Sequence, residues 1–172
     1  MILGTIVVFL LIPVVALIAN AVEENNNTIS FDPSYEESGL PVITLTNNDK
    51  EFNFLVDTGA NLCVLNESHL GEIGHEPLEG TGTMFGMEGN VQNVTYVKVE
   101  LARGKRVFKI PFQVVNIDNA FKRVELDYGI TIHGVLGTQF LDKNKVKVNF
   151  IERSIAYGKP DKSKTTLKKR DK

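Results

Sequence analysis

Residues 54–65 read FLVDTGANLCVL. An apolar, strand-like run ends in one aspartate, Asp57, and a small Thr-Gly-Ala turn follows before apolar residues resume at Leu62, Cys63, Val64 and Leu65. An unpaired carboxylate buried at that point would cost several kcal/mol, so it has two readings. Either the strand runs out into solvent and Asp57 caps an exposed turn, or the carboxylate is placed for chemistry.

The flanking sequence alternates in the manner of strands. Residues 40–46 (LPVITLT) and 51–56 (EFNFLV) enclose Asn47-Asn48-Asp49-Lys50, whose residue types tolerate tight-turn dihedrals, and they predict a hairpin that delivers Asp57 at its end. The theme returns in residues 93–101 and 106–117 around 102–105, and in residues 145–150 and 154–157 around Glu152 and Arg153. Helical signal is scarce: residues 66–70 and 138–144 each predict a turn or two, with Asn66 and Thr138 as N-caps. Val, Ile, Phe and Thr are plentiful and Trp is absent. The expected fold is mainly β, closed or sandwich-like.

The chain has 172 residues, enough for one domain with a single core. Its formal charge is -2, from 19 basic and 21 acidic residues, which gives no overall field for nucleic acid. Cys63 is the only cysteine, so no intrachain disulfide forms. Residues 2–19 are an almost unbroken apolar run of bilayer-spanning length, and Ala19-Asn20-Ala21 fits a signal peptidase site. Residues 1–21 therefore read as a transmembrane anchor with an exported domain or, if cleaved, as the signal peptide of a secreted or periplasmic protein. Residues 22–39 read as a polar linker, 40–158 as the domain, and 159–172, with seven basic and two acidic residues, as a disordered basic tail or a contact with anionic lipid beside the anchor.

A lone carboxylate is a feeble base at working pH, whereas two held face to face share a proton. One then activates water while the other polarises a carbonyl. No second Asp-Thr-Gly occurs: Asp118, Asp127 and Asp142 stand in other contexts. Two-fold symmetry supplies the missing group, because an isologous homodimer brings the same residue of each copy to the axis.

With these motifs the chain resembles the retropepsin-like aspartic proteases, single-domain relatives of pepsin. The second carrying motif is HGVLGTQFL at residues 133–141, and TGTMFGMEGNV at residues 81–91 stands in the place of the flap. The resemblance spans about residues 40–157 and implies a closed, barrel-like acid-protease fold with a flap hairpin and one short helix, here preceded by an N-terminal hydrophobic helix. It implies that Asp57 is the catalytic carboxylate of an endopeptidase acting on peptide or protein, with no metal or organic cofactor. Thr58 would bond across the dimer axis, and Gly59 and Ala60 would shape the loop. Gly134, Val135, Leu136 and Gly137 would back that loop, and Met84, Phe85, Gly86 and Met87 would form the flap tip. Three features depart from the family pattern. Cys63 replaces a usual Ser or Thr, Thr138 replaces a charged residue of the viral members, and the flap has fewer glycines.

Other residues have plainer readings. Cys63 lies among apolar neighbours, as core cysteines do, and His69 and His75 have no dyad or metal-ligand spacing. His133 reads as structural or solvent-facing, although it directly precedes Gly134. The Gly-rich 81–91 stretch lacks the Gly-Lys-Ser/Thr ending of a phosphate loop. A different class of function also fits the pattern, that of a non-catalytic peptide-binding or assembly module on the same fold.

Overall fold

A computed structural model of the chain describes residues 27–85 and 91–158. The hydrophobic run, the start of the linker and the basic tail lie outside these residues; among the described residues no helix is long and apolar enough to cross a membrane.

The sheet begins with the expected hairpin, β2 (Val42–Asn47) against β3 (Lys50–Val56). Its turn is only two residues long. Asn48 and Asp49 take φ of 49° and 63°, the left-handed values that match the twist of a tight hairpin. Period-two alternation on β3 sends Phe52, Phe54 and Val56 into the core.

Strand β3 then pairs in parallel with β8 (Gly134–Leu136), which pairs antiparallel with β4 (Val64–Asn66). The order continues through β7 (Arg106–Val115) and β6 (Val91–Arg103), and β6 meets β2 at Thr46 and Ala102, so six strands close into a barrel. The seam is fixed by side chains. The Thr46 hydroxyl donates to Ala102 O at 3.2 Å, and the buried Asn47 amide donates to Glu100 O at 2.9 Å and Gly74 O at 3.1 Å. Gly74 N–H donates back to Asn47 Oδ1 at 2.7 Å, so a buried amide carries no unmet hydrogen bond. Inside lie Phe54, Phe108, Phe112, Leu45, Leu65, Leu101 and Leu136. The seventh strand, β5 (His75–Phe85), extends from β6 outside the closed ring.

Two findings differ from the sequence expectation. First, the stretch read as linker is folded from Thr28 onward: β1 (Thr28–Ser30) joins β10 (Ser154–Ala156) and β9 (Lys147–Asn149) in a small antiparallel sheet, and a single helical turn, α1 (Tyr35–Ser38), follows. Ile29 and Phe31 are buried, and two apolar residues suffice to dock so short a strand. Second, the one short helix expected, α3 (Thr138–Lys143), is accompanied by α2 (Asp118–Tyr128). No residue of α2 is fully buried; Phe121 and Val124 cover a small cluster of Val42, Ile130 and Ile132. An apolar stripe of two residues is too thin to be read as amphipathic. The signals available were Gly129, which ends α2 at φ 68°, and the Arg123–Asp127 pair one turn apart at 2.6 Å.

Replacing Ile29 with Ala should destabilise the protein by about 3 kcal/mol, the usual cost of emptying a buried aliphatic site. Equilibrium urea unfolding measures it; a tether residue would give a change within about 0.5 kcal/mol.

Candidate active site

Strands β3 and β4 are the two arms of the loop that carries Asp57, and β8 is wedged between them. The parallel ladder sets Phe54 opposite Gly134, Leu55 opposite Val135 and Val56 opposite Leu136. The antiparallel one sets Val64 opposite Val135 and Leu65 opposite Gly134. Asp57 continues the first ladder, its N–H donating to Leu136 O at 3.1 Å. The backbone under the carboxylate is therefore fixed by the sheet itself.

The carboxylate is partly exposed, and Gly59 N–H donates to its Oδ1 at 2.8 Å. Thr58 and Gly59 are exposed, as are Asn61 and Leu62, whereas Cys63 is buried. The loop carbonyls turn inward to a second task. Ala60 O accepts from Thr138 N–H at 2.8 Å and Asn61 O from Gln139 N–H at 3.1 Å, so the loop satisfies the first amides of α3. The N-cap of α3 is Gly137, not Thr138 as the sequence suggested, and glycine has no side chain to do that work. The Thr138 hydroxyl donates to Asn61 O at 3.3 Å.

Contact this close tolerates no side chain. A Cβ on Gly137 would lie 2.4 Å from Leu62 O and 2.6 Å from Ala60 O, and one on Gly134 would lie 2.4 Å from Val64 O. Both neighbours are backbone, which cannot swing aside. Of the expected backing residues, Leu136 is fully buried and Val135 nearly so.

On either side of the stretch read as a flap, β5 and β6 pair antiparallel from His75 and Val99 to Phe85 and Val91, with an irregularity between Leu78 and Thr81. Met84 and Phe85 end β5, while Gly86 and Met87 lie outside the described residues.

Other titratable groups are occupied elsewhere. Burial pushes the Cys63 thiol up, outweighing its contacts with the Gly137 and Phe140 backbone and the charge of Lys143, so it stays protonated and acts as core. His69 Nδ1 meets Glu72 at 3.0 Å and His75 Nδ1 meets Ile73 O at 2.9 Å. Asp118 is held below the usual carboxylate range by the Ser68 hydroxyl and then the Asn66 amide, at 2.5 Å and 2.8 Å. Asp127 pairs with Arg123. Among the described residues no group of three or more His, Cys, Asp or Glu could hold a metal ion.

Sequence reading missed the amides that support the loop. Asn66 is buried: its N–H donates to His133 O at 2.8 Å, and its Oδ1 receives Ile117 N–H at 3.3 Å and Ser68 N–H at 3.5 Å. Buried Gln113 donates its own N–H to Cys63 O at 2.9 Å. The sequence offered only Asn66 as an N-cap, a role it does fill.

Residues 43–140, more than half of the chain, match a family described as "Aspartyl protease". Among solved structures the chain is similar to EIAV protease complexed with the inhibitor HBY-793, at 21% identity and a TM-score of 0.48, with 67% of this chain and 97% of that one covered. It is also similar to a retropepsin-like aspartic protease from Rickettsia conorii, at 16% identity and a TM-score of 0.44, with 76% and 87% covered. No curated protein matches it.

Gly137→Ala should cost about 3 kcal/mol or more, because backbone strands must separate to admit the methyl group. Thermal unfolding monitored by circular dichroism checks this, with Ala60→Gly, at a partly exposed loop position, expected to cause a far smaller change.

Proposed function

Since this chain belongs to the aspartyl protease family, we propose that it is an endopeptidase whose carboxylate dyad is Asp57 together with Asp57 of the partner subunit. The observation that carries this reading is the setting of Asp57. It is partly exposed at the end of a core strand, its main chain is pinned to Leu136, and one carboxylate oxygen is held by Gly59 N–H. A hydrogen bond from a backbone amide fixes the orientation of a carboxylate without neutralising it. The loop around it is exposed at Thr58, Gly59, Asn61 and Leu62, where it would meet a second copy, and Leu62, 39% exposed, would give that contact an apolar element.

Two such carboxylates at a two-fold axis share one proton and titrate as a unit. The ionised member draws a proton from water as the water attacks the peptide carbonyl carbon. The protonated member donates to the carbonyl oxygen, and the tetrahedral intermediate breaks down as the nitrogen leaves protonated. Thr58 would brace one loop against the other across the axis. Substrate would lie extended between the loop floor and the β5–β6 hairpin, with main-chain hydrogen bonds for affinity and side-chain pockets for selectivity. Leu55, Met84, Phe85 and Val135 would favour hydrophobic side chains beside the cleaved bond. Residues 2–19 would tether or export the domain, with its work done at or beyond a membrane.

The test is cleavage of a peptide library from acidic to neutral pH by the wild type and by Asp57→Asn, with sedimentation of both. The expected outcome is a dimer whose cleavage falls by roughly a thousandfold or more in the variant, with its unfolding midpoint nearly kept. Cleavage by Asp57→Asn at the wild-type rate would overturn the assignment. A monomer without turnover would leave the fold as a peptide-binding module.

A further inference from the structure

His133 stands immediately before β8 and touches both arms of the Asp57 loop. Its N–H donates to Asn53 O at 2.9 Å on β3, and its carbonyl accepts Asn66 N–H at 2.8 Å on β4. The ring adds a third link, because Nδ1 accepts the Asn53 N–H at 3.0 Å. An imidazole nitrogen thus stands where a strand carbonyl would otherwise extend the ladder. The Asn53 side chain is committed as well, its amide donating to Thr131 O at 3.2 Å and its Oδ1 accepting the Thr44 hydroxyl at 3.0 Å. From this pair the ladder runs through Phe54, Leu55 and Val56 to Asp57.

We propose that His133 is a positioning residue for the Asp57 loop, and that it works only as the neutral imidazole whose Nδ1 receives the Asn53 amide. This rests on Asp57 being the catalytic carboxylate. A second proton on the ring would sit on Nδ1 and point at the Asn53 N–H. Donor would face donor, and a half-buried amide would lose its acceptor.

The surroundings favour the neutral ring. From β3, Phe52 meets it edge-on with centroids 5.1 Å apart, and the His69 ring lies 4.7 Å away. Burial, and next the nearby His69, hold the ring below its ordinary value, while Glu72, itself bonded to His69 and near Lys50, and then the Asn53 backbone pull the other way. Asp118, bonded to Ser68 and Asn66, also feels the charge of His69. With a lowered folded value, the unfolded chain takes up the proton first as pH falls. The stability given by the neutral ring is complete above about pH 6.5 and is lost as pH falls through the folded value.

Two variants of the full chain separate the roles. His133→Asn presents an oxygen at the Nδ1 position and cannot take a proton, whereas His133→Phe fills the space without an acceptor. With the best-cleaved library peptide, His133→Phe should lower kcat by roughly ten- to a hundredfold with KM less changed. His133→Asn should keep the neutral-pH rate and carry it further into acid, its acid limb displaced to lower pH than that of the wild type. The Asn53 amide resonance of the labelled protein should move with pH in the wild type and stay fixed in His133→Asn. Acid limbs that superpose for wild type and His133→Asn, or an Asn53 amide indifferent to pH in the wild type, would overturn the proposal. If the wild type cleaves nothing at any pH, the reading of Asp57 fails, and the Asn53 amide still decides whether the neutral ring holds the strand.

Discussion

Strand β8 lies between the two arms of the Asp57 loop, and the distance at which three backbones can pass sets the rest of the site. Gly134 and Gly137 stand where a methyl group would meet main-chain oxygen at 2.4 Å. With no side chain in the way, β8 pairs in parallel with the strand that enters the loop and antiparallel with the strand that leaves it. The position of Asp57 is then fixed by sheet hydrogen bonds rather than by side-chain packing. Ladder bonds are cooperative and tolerate little displacement, which suits a group that must meet a second carboxylate at close range.

Amide side chains finish what the ladders leave open. Asn47 closes the barrel seam, Asn53 joins β2, β3 and the approach to β8, and Asn66 ties the end of β4 to the start of α2. Each carries a donor and an acceptor on one short, stiff stem, so it can replace a missing strand residue at a point where the chain turns away. Left unmet at these depths, each group would cost about 1–3 kcal/mol. The loop repays the same kind of debt to α3, since its carbonyls take the helix's first amides where Gly137 offers no cap. Loop, helix and wedge strand are therefore tied to one another by main-chain hydrogen bonds.

Much of the β framework was legible from residues alone. Alternation placed the β2–β3 and β6–β7 hairpins, because one face of each strand must be buried and the other not. The strands of the terminal sheet were half visible: residues 145–150 and 154–157 show the pattern, but their partner β1 has only Ile29 and Phe31 to announce it, inside a polar stretch. Helix α2 was missed for the same reason, since its stability comes from two partly buried side chains and a left-handed end at Gly129. Short-range pattern carries no information about which distant surface such a fragment will meet.

The sequence by itself determined that one carboxylate ends an apolar strand, that a glycine-bearing turn follows it, and that no repeat of the motif supplies a second. These are statements about neighbours along the chain, where side-chain type and spacing act directly. Only the tertiary structure decided that β8 enters the loop between its arms and that His133 lends a ring nitrogen to the strand leading to Asp57. Asn53 and His133 stand 80 residues apart in sequence. Contacts at that separation are chosen by how backbones can pack around a closed barrel, and no local preference of either residue foretells them.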